Sequence, residues 1–217
     1  MACMSEQSVE LLEAIEHLPR GASLLMQDVA WEVFEKLVAE LNERPEFRVS
    51  FDDGSIEIVS PLNEHEKIIR LIDRMVHIYG EIRKLQIEFF GSSTWKGKIL
   101  AKGVQPDSCY YVNAADSVIV ETQLDLDKDP PPDIAIEIDV SNSSKRKSSI
   151  YAALKISEFW RYDGRKFQIF RLTGADYTEI PSSQMLPGLT AQQLLQTINL
   201  SRSLGQTAAL QRFRTQF

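Results

Sequence analysis

The segment Asp133-Ile134-Ala135-Ile136-Glu137-Ile138-Asp139-Val140 constrains the fold more than any other stretch, because its residues alternate by type. Every even position is Ile or Val, and the odd ones include three carboxylates. Successive side chains of an extended strand point to opposite faces, and same-face neighbours lie about 6.5–7 Å apart. The pattern predicts a strand with a buried back and an acidic front, on which Glu137 and Asp139 project side by side. Pro130 to Pro132 cannot donate to a ladder and so pin the entry to this strand. A second Pro-Asp pair, Pro106-Asp107, opens another short apolar run, Cys109 to Val112, so a second carboxylate can sit on a neighbouring strand. A lysine-rich patch, Lys145 to Lys147, follows directly.

The rest of the chain supplies helices and hairpins around that strand. Val33, Phe34, Leu37, Val38 and Leu41 recur at three and four, which predicts an amphipathic helix over 28–41 with Asp28 as its N-cap. Asp53-Gly54 between Phe47–Phe51 and Ile56–Val59 predicts a hairpin, since type I′ turns need positive φ. Ser60-Pro61 ends the second strand. From Glu64 to Leu85 one apolar stripe runs through Ile68, Ile69, Ile72, Met75, Val76, Tyr79 and Ile82, the longest expected helix. A short apolar run lies at Ile87 to Phe90, and residues 113–130 are too polar to assign. A helix is expected over Ser143–Lys155. Asp163-Gly164-Arg165 joins two further strands, Phe159–Tyr162 and Phe167–Arg171, and the leucine-rich last forty residues read as one or two surface helices. The order predicts a mixed α/β fold, a central sheet with helices packed on it and a β-hairpin extension.

At 217 residues the chain suits one well-cored domain with appendages. Its divisions are expected at 1–27, an N-terminal segment; 28–175, the domain; and 176–217, a helical tail packed on it. No apolar run approaches the roughly eighteen residues of a membrane span. The polar start lacks the build of a secretion signal, and Cys3 and Cys109 do not form a disulfide framework, so a cytoplasmic location is expected. The formal charge of −7 argues against non-specific coating of nucleic acid, which cationic side chains drive. It leaves room for phosphodiester chemistry, in which acids hold a metal while a local basic rim steers the substrate.

Hydrolysis with Mg²⁺ needs two or three carboxylate oxygens about 2.0–2.1 Å from a hard ion. Asp107 and Glu137 are the first candidate ligands, and Lys147 is the candidate ammonium that orients the attacking water or stabilises the leaving oxygen. The plainer alternative is that Glu137 and Asp139 form only the wet face of an amphipathic strand. Glu64, His65 and Glu66 begin the long helix, where acids suit the macrodipole. There Asn63 with Glu66 resembles a capping box, or Glu66 leans toward the strand edges as an outer metal ligand. His65 falls on the inward face as a packing residue. No Gly-x-Ser-x-Gly elbow, phosphate-binding glycine loop or zinc-spaced cysteine pair is present.

Several segments taken together carry a family likeness. Ser60-Pro61 with His65-Glu66, then Gly103 to Tyr111, then Pro131 to Asp139, then Tyr151 to Leu154 with Glu158 to Gly164, resemble in order the Uma-type family of bacterial restriction endonucleases, in the PD-(D/E)xK nuclease superfamily. The resemblance runs from about residue 28 to the end. It implies a restriction-endonuclease-like core, Asp107 and Glu137 as metal-binding motif acids, Glu66 as the helix-borne acid, and Mg²⁺ (or Mn²⁺) as cofactor. It also implies nucleic acid, DNA in particular, as the partner, and a homodimer. The superfamily's lysine two residues after the glutamate is replaced here by Asp139, and the family takes it from the next helix, four residues before a tyrosine: Lys147 before Tyr151. Two functions follow as expectations, a Mg²⁺-dependent DNA endonuclease or a catalytically silent nuclease-fold module for binding or assembly.

Overall fold

The computed structural model describes residues 14–41, 47–120, 124, 126, 128–139 and 144–217, without the side chains of 144–146. Val140, Ser141 and Ser143 and the side chains of Lys145 and Arg146 therefore lie outside the described residues. In chain order the strands are β1 (Ser23–Met26), β2 (Arg48–Asp52), β3 (Ser55–Val59), β4 (Glu88–Phe89), β5 (Trp95–Gly97), β6 (Lys102–Val104), β7 (Ser108–Tyr111), β8 (Ile134–Ile138), β9 (Glu158–Tyr162), β10 (Phe167–Thr173) and β11 (Asp176–Ile180). The helices are α1 (Trp31–Leu41), α2 (Asn63–Arg83), the single turn α3 (Ala115–Val118), α4 (Ser144–Ala153), α5 (Ala191–Leu204) and α6 (Gln206–Arg214).

The central sheet is mixed, in the order β11-β10-β9-β8-β7-β4. Among the described residues only β8 and β9 run parallel, and α4 belongs to the crossover that such a pair requires. β8 is buried along its whole length because both faces are covered. Ile134, Ile136 and Ile138 meet α2, α5 and α6 through Ile72, Met75, Leu194, Ile198 and Phe213, while Ala135 faces the opposite side with Tyr151 and Phe159. Each fully buried aliphatic or aromatic side chain here contributes about 1.5–3 kcal/mol relative to exposure.

The expected hairpin extension is part of a second, five-stranded antiparallel sheet, β1-β3-β2-β6-β5, with α1 packed against it. Asp53 and Gly54 take φ values of 45° and 84°, as the type I′ turn demands. β1 comes from the segment expected to lie outside the domain, and Ile15 joins the same core. The tip of the Phe34 ring, from α1, abuts β6, where a Cβ built on Gly103 would stand 2.3 Å from its Cζ. Gly103→Ala should therefore destabilise the protein by about 1–3 kcal/mol, a lowered thermal midpoint being the readout.

Two expected caps do not form. Asp28 adopts φ 57° and is not the N-cap of α1; the carbonyl of Ala30 accepts the first bonds, from Val33 and Phe34. Leu62 is the N-cap of α2 and makes no side-chain cap bond, so the Asn63–Glu66 box is absent. The reason is competition, since Asn63 accepts from Arg20 and Glu66 from Arg48. A capping box does occur at Thr190 and Gln193, which start α5.

Past residue 175 the sheet continues into β11 before the tail turns helical. The turn that follows is fastened by Glu158, fully buried at the start of β9. One carboxylate oxygen accepts from Trp160 Nε1 and Ser183 Oγ, both at 2.8 Å, and the other from the backbone N–H groups of Gln184 (2.6 Å) and Met185 (3.1 Å).

Candidate active site

The three acids of the acidic strand divide into three roles. Asp133 accepts from the N–H groups of Val112 and Asn113, at 2.8 and 2.9 Å, and so shapes the turn after β7. Asp139 holds Arg161 of β9 at 3.0 Å. Glu137 points into the space beneath α4, where Lys147 Nζ donates to its Oε2 at 2.8 Å and the Tyr151 hydroxyl donates to its Oε1. Lys147 and Tyr151 are one helical turn apart, so α4 presents both to the same carboxylate.

Asp107 reaches Glu137 through strand register. Ser108 pairs with Ile136 in the β7–β8 ladder, and extending that pairing by one residue sets Asp107 opposite Glu137. Its N–H donates to the Ile136 carbonyl at 3.0 Å, and its Oδ2 accepts from the Ile138 N–H at 2.7 Å. Directly opposed residues of an antiparallel pair share a face, with Cβ atoms about 4.5–5.5 Å apart. The electrostatics agree with this closeness. Burial raises the Glu137 carboxyl to about 7 against the pull of Lys147, and the like charge of Asp107 pushes the same way. Burial works against the charge of Lys147, but Glu137, Asp107 and Glu57 more than offset it and hold the ammonium above its ordinary value.

Glu66 takes a different position. Its Oε1 accepts from Arg48 Nη2 at 3.0 Å, and Arg48 Nε lies 3.6 Å from Asp107 Oδ1, so a buried guanidinium stands between the helix-borne acid and the motif aspartate. Arg70 continues the chain, 3.9 Å from Glu66 and 3.6 Å from Asp73, which in turn accepts from Ser108 and Tyr110. Among the described residues no three His, Cys, Asp or Glu groups are clustered as metal ligands. The donor set that does fit a hard divalent ion is the Asp107–Glu137 pair, two carboxylates whose crowding an added cation would relieve. His65 is buried, and among the described residues its Nε2 has no hydrogen-bond partner.

Arg48 and Glu57 escape a periodicity argument, yet a signal for them exists. Each is a charge within an apolar strand of the hairpin, Phe47-Arg48-Val49 and Ile56-Glu57-Ile58, and both are buried. Buried charges in such settings need partners or a function. Tyr151 is named by the motif but its bond to Glu137 is not. Cys109 is plainly structural. Its Sγ accepts from Trp95 Nε1, and burial pushes the thiol up to about 12. It should resist alkylation in native protein and label only on denaturation, as peptide mapping would read out.

No curated protein matches the chain. Among solved structures, a crystal structure from Anabaena variabilis described as a "putative nuclease" is similar at 15% identity, covering 68% of this chain and 89% of that one with a TM-score of 0.47. Among described residues no helix is long and apolar enough to cross a membrane. The family model Uma2, described as "Putative restriction endonuclease", matches residues 31–204, which include Asp107, Glu137 and Lys147. The chain belongs to the Uma2 restriction endonuclease family.

Proposed function

We propose that the protein is a metal-dependent endonuclease that hydrolyses phosphodiester bonds of DNA. The supporting observation is the register of Asp107 opposite Glu137 on adjacent strands, with Lys147 on Glu137. In this reading Asp107 and Glu137 hold a Mg²⁺ or Mn²⁺ ion, which when bound lowers the pKa of water and offsets charge on the phosphate. Lys147, kept charged by three carboxylates, supports the attacking water or the leaving oxygen. Tyr151 fixes the rotamer of Glu137 from its other oxygen. Glu66 acts from outside the pair, by holding the guanidinium of Arg48 against Asp107. Two copies would bring two such sites to two strands, a homodimer that mass measurement in solution would detect. A cytoplasmic location belongs to this reading, and the free thiol of Cys109 suits it.

The test is cleavage of plasmid DNA by the full chain with Mg²⁺, Mn²⁺ or EDTA. Cleavage should require the metal, and Lys147→Met should slow it about 100-fold. Equal cutting in EDTA, or by the methionine variant, would overturn the assignment. DNA binding indifferent to metal, with no cutting, would favour the silent module.

A further inference from the structure

Beside α4, on the side toward β9, β10 and β11, lies a cleft of about 680 Å³. Pockets of a few hundred to about a thousand Å³ accept small organic ligands. Three aromatic rings line this one. Phe159 and Phe170 stack at 5.8 Å with their planes 20° apart, and Tyr177 tilts against Phe159 at 5.8 Å. Ser148, Ser149, Lys155, Arg161, Gln168 and Asp176 supply the polar lining, and Gln168 Nε2 also donates to Glu179 at 2.9 Å. Arg161 Nη2 donates to Asp139, and among the described residues its buried Nε has no hydrogen-bond partner. An unsatisfied buried donor costs about 1–3 kcal/mol, so a small shift of Arg161 that gave Nε an acceptor in the cleft would be favoured.

The cleft adjoins the site already described. Arg161 stands beside Glu137 in the parallel β8–β9 register, on the strand one spacing away, about 4.8 Å. Ser148, on the cleft wall, directly follows Lys147. A ligand there must be flat enough to lie on aromatic rings and must carry in-plane acceptors for a guanidinium N–H. Nucleobases have both properties, since every base offers a π-face and ring or carbonyl acceptors on its edge.

We propose that the cleft binds a single unpaired nucleobase, stacked on Phe170 and Tyr177 and hydrogen-bonded by Arg161 and Gln168. Resting on the nuclease reading, this adds a subsite that holds a base out of the helical stack next to the cleaved phosphate. The base can come from the substrate strand or from a free nucleotide, and the experiment separates these.

Full-length protein is titrated, with Ca²⁺ in place of Mg²⁺ to prevent turnover, against an oligonucleotide duplex carrying one unpaired 2-aminopurine, the same duplex fully paired, and GMP alone. Fluorescence of the unpaired probe should change on binding, and it should bind about tenfold more tightly than the paired duplex. Phe170→Leu, which keeps apolar volume but removes the π-face, and Gln168→Ala should each erase that preference at an unchanged thermal midpoint. If instead GMP binds and the two variants abolish it while both duplexes bind equally, the base site stands with a free nucleotide as its source. Equal binding of both duplexes with no response to GMP would overturn the cleft as a base site. The nuclease reading would survive that result, whereas failure of every duplex to bind, with GMP still captured, would remove the nuclease reading and keep the pocket.

Discussion

Asp107→Asn should reduce metal-dependent DNA cleavage by about a thousandfold or more while leaving the thermal midpoint nearly unchanged. The two halves of this expectation have separate physical origins. The amide can still place an oxygen where Oδ2 accepts from the Ile138 N–H, so the β7–β8 junction keeps its bond. What disappears is one unit of negative charge facing Glu137, and with it half of the oxygen pair offered to a hard cation. Losing a preorganised group at the reacting phosphate commonly costs 10²–10³-fold by itself, and loss of metal binding adds to that. Calorimetric titration with Mn²⁺ gives a reading free of turnover: affinity should fall in the asparagine variant. Undiminished affinity together with undiminished cleavage would remove Asp107 from the site.

Glu158→Ala should be the most damaging single substitution for stability outside the apolar core, by about 3 kcal/mol or more in denaturant unfolding. Alanine withdraws the acceptor from four donors at once, the Trp160 indole, the Ser183 hydroxyl and two backbone N–H groups. The indole and hydroxyl bonds are buried and the two backbone ones part-buried, so the penalty includes stranded donors as well as lost bonds. Glu158→Gln should recover part of the loss, because its carbonyl oxygen can still serve one side of the turn. If the alanine variant unfolded at the wild-type denaturant midpoint, the carboxylate would not be what fastens the tail.

The elements that could be read from the residues were those whose cause is local. Asp53-Gly54 declares its turn because few residues tolerate two consecutive positive φ values, and the stripe from Ile68 to Ile82 declares α2 because one face is continuously apolar. Alternation in β8 likewise announced that Glu137 stands apart from its Ile neighbours. What stayed hidden depends on partners distant in the chain. Ser23–Met26 and Trp95–Gly97 are too short to show a period, and they are strands only because β3 and β6 offer a ladder. The cap assigned to Asn63 failed for a related reason, since a side chain that can cap locally will leave when a tertiary partner such as Arg20 competes for it, whereas Asp28 lies in the left-handed region two residues before Ala30, whose carbonyl accepts the first bonds. At the site, Arg48 and Glu57 stood out only as charges within apolar strands and their place could not be read, because a second sheet delivers them and no spacing in the sequence records that two sheets meet at α4.

Strand β9 joins consequences that would otherwise be unrelated. Glu158, Trp160 and Tyr162 face the carboxy-terminal turn and helices, while Phe159 and Arg161 face α4 and the neighbour of Glu137. A slip of one residue would exchange these two sets of side chains wholesale. The tail and the carboxylate centre are thus locked to a single ladder alignment, and neither can loosen cooperatively without the other.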